Sequence, residues 1–173
     1  MQARKKQTGA VLVVGLIILI VMVLIGTTAI SFSVLSEKMT DNQRNKQLAL
    51  QAAESSLRES ENWIRSQINP PNEVTSCSQN PCDVWAKGSF TNWLNHDQTW
   101  WETYARPFTT PLQEIATLPR YLIEAQSFQP YELDPDARSK GEGYYYYLMT
   151  SRGTGSTDEA KVVIQSVYTV QFK

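Results

Sequence analysis

The residue types that carry enzymatic chemistry are few in this chain and are not arranged for it. His96 is the only histidine and stands next to Asp97, but no recognisable motif places a nucleophile for that pair. Gly153 and Gly155 stand between two predicted strands, whereas a phosphate-binding glycine loop comes before a helix. We therefore predict a surface histidine, no enzymatic activity and no cofactor.

The two cysteines, Cys77 and Cys82, enclose a short turn-forming segment that contains a proline. Outside the cytoplasm such a pair favours a disulfide, which for so small a ring would contribute only about 2 kcal/mol. A metal or redox site is the competing interpretation. Zinc needs about four ligands, and redox pairs usually have the tighter Cys-x-x-Cys spacing. The pattern favours a structural disulfide that holds a local loop.

Residues 126–143 are rich in turn formers and carry the carboxylates of Asp134, Asp136 and Glu142. Carboxylate oxygens suit calcium, but the spacing is not that of an EF-hand, and Pro135 restricts the turn. We expect an exposed loop that faces a partner, with calcium binding as the alternative. The chain as a whole has 16 Lys+Arg and 17 Asp+Glu residues, a net charge of −1. This balance argues against nucleic acid as the main ligand.

Aromatic residues are dense between residues 85 and 108, where they alternate with amides and other polar side chains. Such a stretch can form a carbohydrate- or surface-binding platform, or it can fill the core of a small domain. We favour the core, because a small domain needs large side chains to fill its volume. Within this stretch, residues 92–104 are predicted to form a short helix.

A long N-terminal helix must position all of these residues, and it begins in an apolar segment. The chain is uncharged from Gln7 through Leu35, directly after the basic cluster of Arg4, Lys5 and Lys6. A bilayer core takes about 20 helical residues, so the segment can span it. The basic flank predicts a cytoplasmic N-terminus. The apolar segment does not end in the small-x-small motif of a signal peptide, so we expect it to remain in the chain.

The helix is expected to continue beyond the membrane until Pro70 and Pro71 end it, because residues 27–69 contain no proline or glycine. Apolar residues recur there at roughly helical steps, which predicts a stripe that packs under a sheet. The stripe consists of Leu35, Met39, Leu48, Ala49, Ala52, Ala53, Leu57, Trp63 and Ile64.

Strand character follows in residues 120–125, 144–151 and 161–173, which are rich in β-branched and aromatic types or alternate polar with apolar residues. These segments predict an antiparallel sheet of three or four strands across the C-terminal half of the long helix. The fold class is therefore α+β, with a long N-terminal helix whose first half is transmembrane and whose second half packs on a small antiparallel sheet.

The junction at the start of the apolar segment resembles the cleavage site of type IV prepilins and pseudopilins. It has a short basic leader that ends in Gly9, directly before Ala10 and the apolar run. The resemblance implies that a membrane prepilin peptidase cuts between Gly9 and Ala10 and that Ala10 becomes the methylated N-terminus. Loss of the leader would leave 13 basic residues against 17 acidic ones, a net charge of −4.

Two further blocks are similar to the PilX family of minor pilins. The first runs from Gly9 to Arg58 and includes Gln47-Leu48-Ala49-Leu50-Gln51-Ala52-Ala53-Glu54, and the second runs from Tyr147 to Ser166. The resemblance implies the type IV pilin fold. It implies as partners the other minor pilins, the major pilin, the prepilin peptidase, the inner-membrane assembly platform and the membrane itself. It also implies residence in the bacterial inner membrane, with a periplasmic C-terminal domain, before assembly into the pilus.

One position departs from the wider pilin pattern. Most pilins carry glutamate at the fifth position after the cut, where this chain has Val14. In the family that carboxylate neutralises the methylated amine of the subunit ahead, and an unpaired charge in the membrane region is costly. A subunit without it suffers least where no subunit lies ahead, which favours the filament tip. The alternative is that Val14 is tolerated inside a mixed filament.

The predicted organisation is a leader (residues 1–9), a transmembrane and fibre-core helix half (10–36), an amphipathic helix half (37–69) and a globular pilin domain (70–173). The predicted function is that of a minor pilin in a tip or priming complex that initiates pilus assembly and contributes to adhesion and twitching motility. The alternatives are a minor pseudopilin of type II secretion and a membrane-anchored extracytoplasmic binding or sensing domain.

Overall fold

A computed structural model describes residues 9–76, 82–131 and 135–172. The chain divides into two compact units, Met1–Gln43 and Arg44–Lys173. A single helix, α1, contributes to both and runs from Ala10 to Arg65.

In the first unit, residues 11–43 of α1 are exposed, and this part of the helix is long and apolar enough to cross a membrane. Its most apolar 18-residue window has a mean hydropathy of 3.0, and none of that window is buried within the chain. Several hydroxyls of this part bond within the helix, since Thr28 Oγ1 donates to the Leu24 carbonyl at 3.0 Å and Ser31 Oγ to the Thr27 carbonyl at 3.0 Å. Such internal hydrogen bonds suit a helix in lipid, where no water is present to replace them.

In the second unit α1 ends at Arg65, five residues before Pro70 and four before the predicted end at residue 69. The carbonyl of Trp63 explains the earlier end. It accepts hydrogen bonds from Ser66 Oγ at 2.7 Å and from Gln67 Nε2 at 3.1 Å. These side chains satisfy an orphan carbonyl of the last turn, so the helix needs no proline to stop it.

Six strands form one mixed sheet in the described part of the chain. They are β1 (Glu73–Val74), β2 (Val84–Trp85), β3 (Arg106–Pro107), β4 (Arg120–Pro130), β5 (Gly143–Thr154) and β6 (Lys161–Val170). The order is β1-β2-β4-β5-β6, with β3 paired to β4. The three long strands β4, β5 and β6 are antiparallel, as predicted, whereas β1, β2 and β4 pair in parallel. The α+β, pilin-like fold class is confirmed, and the short parallel strands were not predicted.

Successive side chains of a strand point to opposite sides of the sheet. Each of the two faces is covered by other parts of the chain. On one face Tyr145, Tyr147 and Met149 of β5 pack with Ile64 of α1. On the opposite face Leu122 of β4 packs with a set of rings that we call the aromatic cluster. The aromatic cluster comprises Trp85, Phe90, Trp93, Trp100, Trp101 and Tyr104.

Two predicted segments differ in detail from the structure. The predicted loop at residues 126–143 is shorter, because β4 continues to Pro130 after a bulge between Ala125 and Ser127, and a one-turn helix α3 occupies Ala137–Lys140. The predicted helix at residues 92–104 is divided into a 3₁₀ turn, Trp93–Asn95, and α2, Gln98–Tyr104. Asp97 separates the two, because its carboxylate caps α2 by accepting from the Trp100 backbone N–H at 2.8 Å.

Candidate functional site

The predicted cleavage junction lies at the exposed start of α1. The Gly9 carbonyl accepts from the Leu12 N–H at 3.2 Å, so Gly9 precedes the first turn directly. A Cβ added at Gly9 would meet nothing within 4 Å. Val14, on the second turn, is 54% exposed. Within the described residues, the chain itself does not obstruct a peptidase at this junction.

The other predicted chemistry falls partly outside the described residues. Cys77 and Asp134 lie outside them, so the disulfide and the calcium site stay predictions. Cys82 is half-buried and packs against the aromatic cluster. Among residues 9–76, 82–131 and 135–172, no group of three or more His, Cys, Asp or Glu side chains is placed to hold a metal ion.

His96 makes contacts that explain its presence without acid–base chemistry. Its ring stacks on Trp100 with centroids 3.8 Å apart and planes 7° from parallel. Its Nε2 lies 2.9 Å from the Thr91 carbonyl. The carboxylate of Asp97, meanwhile, caps α2. His96 and Asp97 therefore make separate structural contacts, although they are neighbours in the sequence.

Helix and sheet approach each other closely along what we call the small-residue seam. The seam consists of Ala49, Ala52, Ala53, Ser56 and Ser60 on α1, and Gly153 on β5. A Cβ added at Gly153 would lie under 3.0 Å from the Ala49 carbonyl oxygen and from the Ala53 nitrogen. Ser151, two residues before Gly153 on β5, donates from its Oγ to the Ala53 carbonyl at 2.7 Å. Helix and strand are in direct backbone contact here, which only small residues allow.

The seam corrects the sequence interpretation of the apolar stripe. Ala49, Ala52, Ala53 and Ile64 are buried as predicted, and Leu48, Leu57 and Trp63 are only half-buried. Leu35 and Met39, also predicted for the stripe, are exposed. Ser56 and Ser60 are fully buried and were missed. Serine is polar, so the apolar pattern of the sequence did not include these two positions. Ser60 Oγ donates to the Leu57 carbonyl at 2.6 Å, which removes the cost of burying its hydroxyl.

Beyond the seam, Asn45 fastens the turn after β5 to the helix. Its Oδ1 accepts from the Ser156 N–H at 2.6 Å and from Ser156 Oγ at 3.0 Å. Its Nδ2 donates to Thr157 Oγ1 at 3.0 Å. A Cβ added at Gly155 would lie under 3.0 Å from the Asn45 carbonyl oxygen. The glycines of the Gly153-x-Gly155 pair therefore serve helix packing.

The aromatic cluster is largely core, as favoured from the sequence. Trp101 is fully buried and Trp85 is 2% exposed. Ring contacts connect the members, for example Trp85 with Phe90 at 4.7 Å and Phe90 with Trp100 at 5.0 Å between centroids. Phe108, the last predicted member, lies apart and lines a groove beside α1.

Two buried charged groups under this cluster were not foreseen. Glu124 of β4 is 1% exposed, and burial raises the pKa of its carboxyl, while hydrogen bonds from the backbone N–H groups of Phe90, Ser89 and Gly88 offset part of that shift. Arg152 of β5 is 5% exposed and donates to Gln98 Oε1 of α2. Glu124 alternates with the apolar Ile123 and Ala125, a pattern typical of an exposed strand position, and charged residues are rarely fully buried, so the sequence did not indicate these burials.

Two family models match the chain. One is described as PilX N-terminal and matches residues 8–58, and the other is described as Type IV pilus assembly protein PilX C-term and matches residues 39–170. Together they cover the start of α1, the small-residue seam and every strand of the sheet.

The chain belongs to the PilX family. No curated protein and no solved structure matched the chain. PilX proteins are structural pilins of type IV pilus assembly, so the chain is a type IV pilus assembly pilin. An apolar N-terminal helix of this kind fits a membrane-anchored pilus component.

Burial of Glu124 gives this PilX protein a pH dependence that can be measured. Its folded-state pKa lies above the ordinary value of 4.5. The contribution of Glu124 to stability is therefore fully present below about pH 4.5 and is lost as the pH rises through the folded-state pKa. We expect the free energy of unfolding of E124Q, relative to wild type, to increase from pH 4 to pH 7. The measurement is denaturant unfolding of the full chain in detergent at each pH.

The matched control is E159Q, at an exposed carboxylate on the turn before β6. Its difference from wild type should stay flat over the same range. A flat difference for E124Q as well would contradict the proposed cost of burying the Glu124 charge.

Proposed function

We propose that this chain is a minor pilin that is processed at Gly9–Ala10, methylated at Ala10 and assembled with other minor pilins into the tip or priming complex of a type IV pilus. Membership of the PilX family and the exposed apolar first half of α1 support the pilin part of this proposal. The exposed position of Gly9 directly before the first turn of α1 supports processing there. Adhesion and twitching motility follow from fibre assembly and belong to the same proposal.

Val14 carries the proposal of a tip position. An uncharged side chain at this position leaves the amine of a subunit ahead without a carboxylate partner. An unpaired charge inside an apolar core is costly, up to about 3 kcal/mol at the centre of a bilayer, which disfavours positions within the shaft. Only the tip avoids this cost, because no subunit lies ahead of it.

The partners proposed for the chain follow from that position. The other minor pilins join it in the tip complex, and the major pilin is added behind them. The prepilin peptidase and the inner-membrane assembly platform act on the chain while α1 is still in the membrane. The Cys77–Cys82 disulfide would form in the periplasm and hold the segment that precedes β2 in the sequence.

Labelling at the C-terminus tests the tip position. With an epitope after Lys173 and gold-conjugated antibody, we expect label at one end of each fibre by electron microscopy. V14E should spread label along the shaft, because it restores the carboxylate. The adjacent substitution V13E should not, since its charge lies at the wrong position. Wild-type label along the whole shaft would contradict the tip proposal, and label on the cell envelope alone would contradict the assembly proposal.

A further inference from the structure

A groove of about 410 Å³ lies where the 3₁₀ turn Trp93–Asn95 faces strand β6. Its walls are formed by Asn92, Trp93, Asn95, Val163 and Gln165. The volume falls within the range of small-molecule sites in proteins. All five residues belong to the second unit, and the proposed pilus function uses none of them.

The lining of the groove is neutral and rich in amides. Three of its five side chains are carboxamides, and none carries a charge. A carboxamide offers both a hydrogen-bond acceptor and two donors, which matches a hydroxyl group, itself donor and acceptor. A charged ligand would find no counter-charge here. The lining therefore fits a neutral ligand with several hydroxyl groups.

An apolar surface lies beside these amides. Trp93 is half-buried, and the aliphatic side chain of Val163 stands opposite on β6. Tryptophan combines a large apolar face with a polar edge, so it can cover the C–H face of a sugar ring while amides bind its hydroxyl groups. Neither a purely apolar ligand nor a small ion uses both parts of the lining.

The groove is held in shape before any ligand arrives. Trp93 packs against Phe90 at 5.9 Å and against Trp100 and Trp101 at 6.3 Å between ring centroids. Gln165 Nε2 donates to Thr150 Oγ1 at 2.8 Å, which fixes the orientation of its amide. Such preorganisation lowers the entropy cost of binding.

The turn at one end of the groove carries an uncommon backbone. Asn92 has φ 57° and ψ 42°, the left-handed region, and its side chain does not cap the following turn. The Asn95 N–H donates to the Asn92 carbonyl at 2.9 Å and closes the turn. No hydrogen bond occupies the side-chain amides of Asn92 and Asn95 within the part of the chain that the structure describes. Both amides are exposed and available to a ligand.

We propose that this groove binds one neutral sugar residue, a hexose or an N-acetylhexosamine, of a glycan outside the cell. The Trp93 and Val163 surfaces contact the C–H face of the ring, and the amides of Asn92, Asn95 and Gln165 bind its hydroxyl groups. The site is independent of processing and of the tip position, because it lies wholly in the globular unit. A single sugar makes few contacts, so the affinity expected for it is in the millimolar range.

Titration of the full chain with simple glycosides tests the site. The protein is kept in a zwitterionic detergent without sugar, because a maltoside detergent would compete. The probes are the methyl glycosides of glucose, galactose, mannose and N-acetylglucosamine, and the readout is the ¹H–¹⁵N indole resonances of the five tryptophans. We expect at least one glycoside to shift the Trp93 indole resonance saturably, this resonance being identified by its loss in W93F.

Two variants and two controls make the titration decisive. N92G and N95A each remove one exposed amide and should weaken binding on the order of tenfold, which is the effect of one lost hydrogen bond; glycine is chosen at position 92 because it adopts the left-handed backbone without strain. N72A and Q171A remove exposed amides elsewhere and should leave the affinity unchanged. Unchanged thermal unfolding of N92G and N95A confirms that the groove, and not the fold, is altered.

Three results would overturn the proposal. The first is that none of the four glycosides shifts the Trp93 resonance at tens of millimolar. The second is that N92G and N95A bind as wild type does. The third is that a negatively charged sugar, methyl sialoside, binds more tightly than every neutral one. None of these results would bear on processing or on the tip position, so failure of this site and failure of the pilus function are distinguishable.

Discussion

Gly153→Ala should destabilise the globular unit by about 3 kcal/mol or more, a large part of the free energy of unfolding of a domain of this size. The added Cβ would lie under 3.0 Å from the Ala49 carbonyl oxygen and the Ala53 nitrogen. Both are backbone atoms of α1, so no side-chain rotation relieves the clash. The helix must move off β5, and the Ser151 hydrogen bond to the Ala53 carbonyl is lost with it. Denaturant unfolding of the full chain in detergent, followed by tryptophan fluorescence, measures the effect.

The control for this prediction is Gly26→Ala, in the first half of α1, where an added Cβ meets nothing within 4 Å. It should leave the unfolding of the globular unit unchanged. If the free energy of unfolding of G153A lies within about 1 kcal/mol of the wild-type value, the proposed backbone contact between α1 and β5 is contradicted.

Gly9→Val should abolish processing and surface assembly while leaving the fold intact. Gly9 is exposed and a side chain there meets nothing within 4 Å, so the chain itself tolerates the change. Any defect must then arise at the peptidase, which has to accommodate the residue before the cut. The measurement is the fraction of the chain in sheared surface fibres, together with the gel mobility of the chain that stays in the membrane.

Gly15→Val is the matched control, because Gly15 is also exposed and equally free of neighbours. That variant should be processed at the wild-type rate. Normal processing of G9V would contradict cleavage at Gly9–Ala10. A permanently membrane-anchored binding or sensing domain would show no difference between the two variants.

The strong periodic segments of the sequence predicted most of the fold. The uncharged run predicted the first half of α1, and residues 120–125, 144–151 and 161–173 all lie in or overlap the three long strands. The predicted ends of the helices and strands were less accurate, because local hydrogen bonds determine where an element ends. For example, β4 continues to Pro130 after a bulge that follows Ala125. The amino-acid composition of the segment does not indicate such a bulge.

The parts that the sequence did not reveal depend on contacts distant along the chain. Ser60 is buried because its hydroxyl bonds within its own helix and lies 3.1 Å from Met149 Sδ. Glu124 is buried because the aromatic cluster folds over β4. The two-residue strands β1 and β2 are too short to carry a periodic pattern; β2 pairs with the edge of β4, and β1 pairs with β2. The groove beside Trp93 arises where β6 meets a turn about 70 residues earlier in the chain.

The mass of the mature N-terminus tests the central claim most directly. The chain should be purified from cells that produce pili and its N-terminal peptide analysed by mass spectrometry. We predict a peptide that begins at Ala10 and carries one N-methyl group. A peptide that begins at Met1 would show that the leader is retained and would contradict the assignment of this chain as a processed minor pilin.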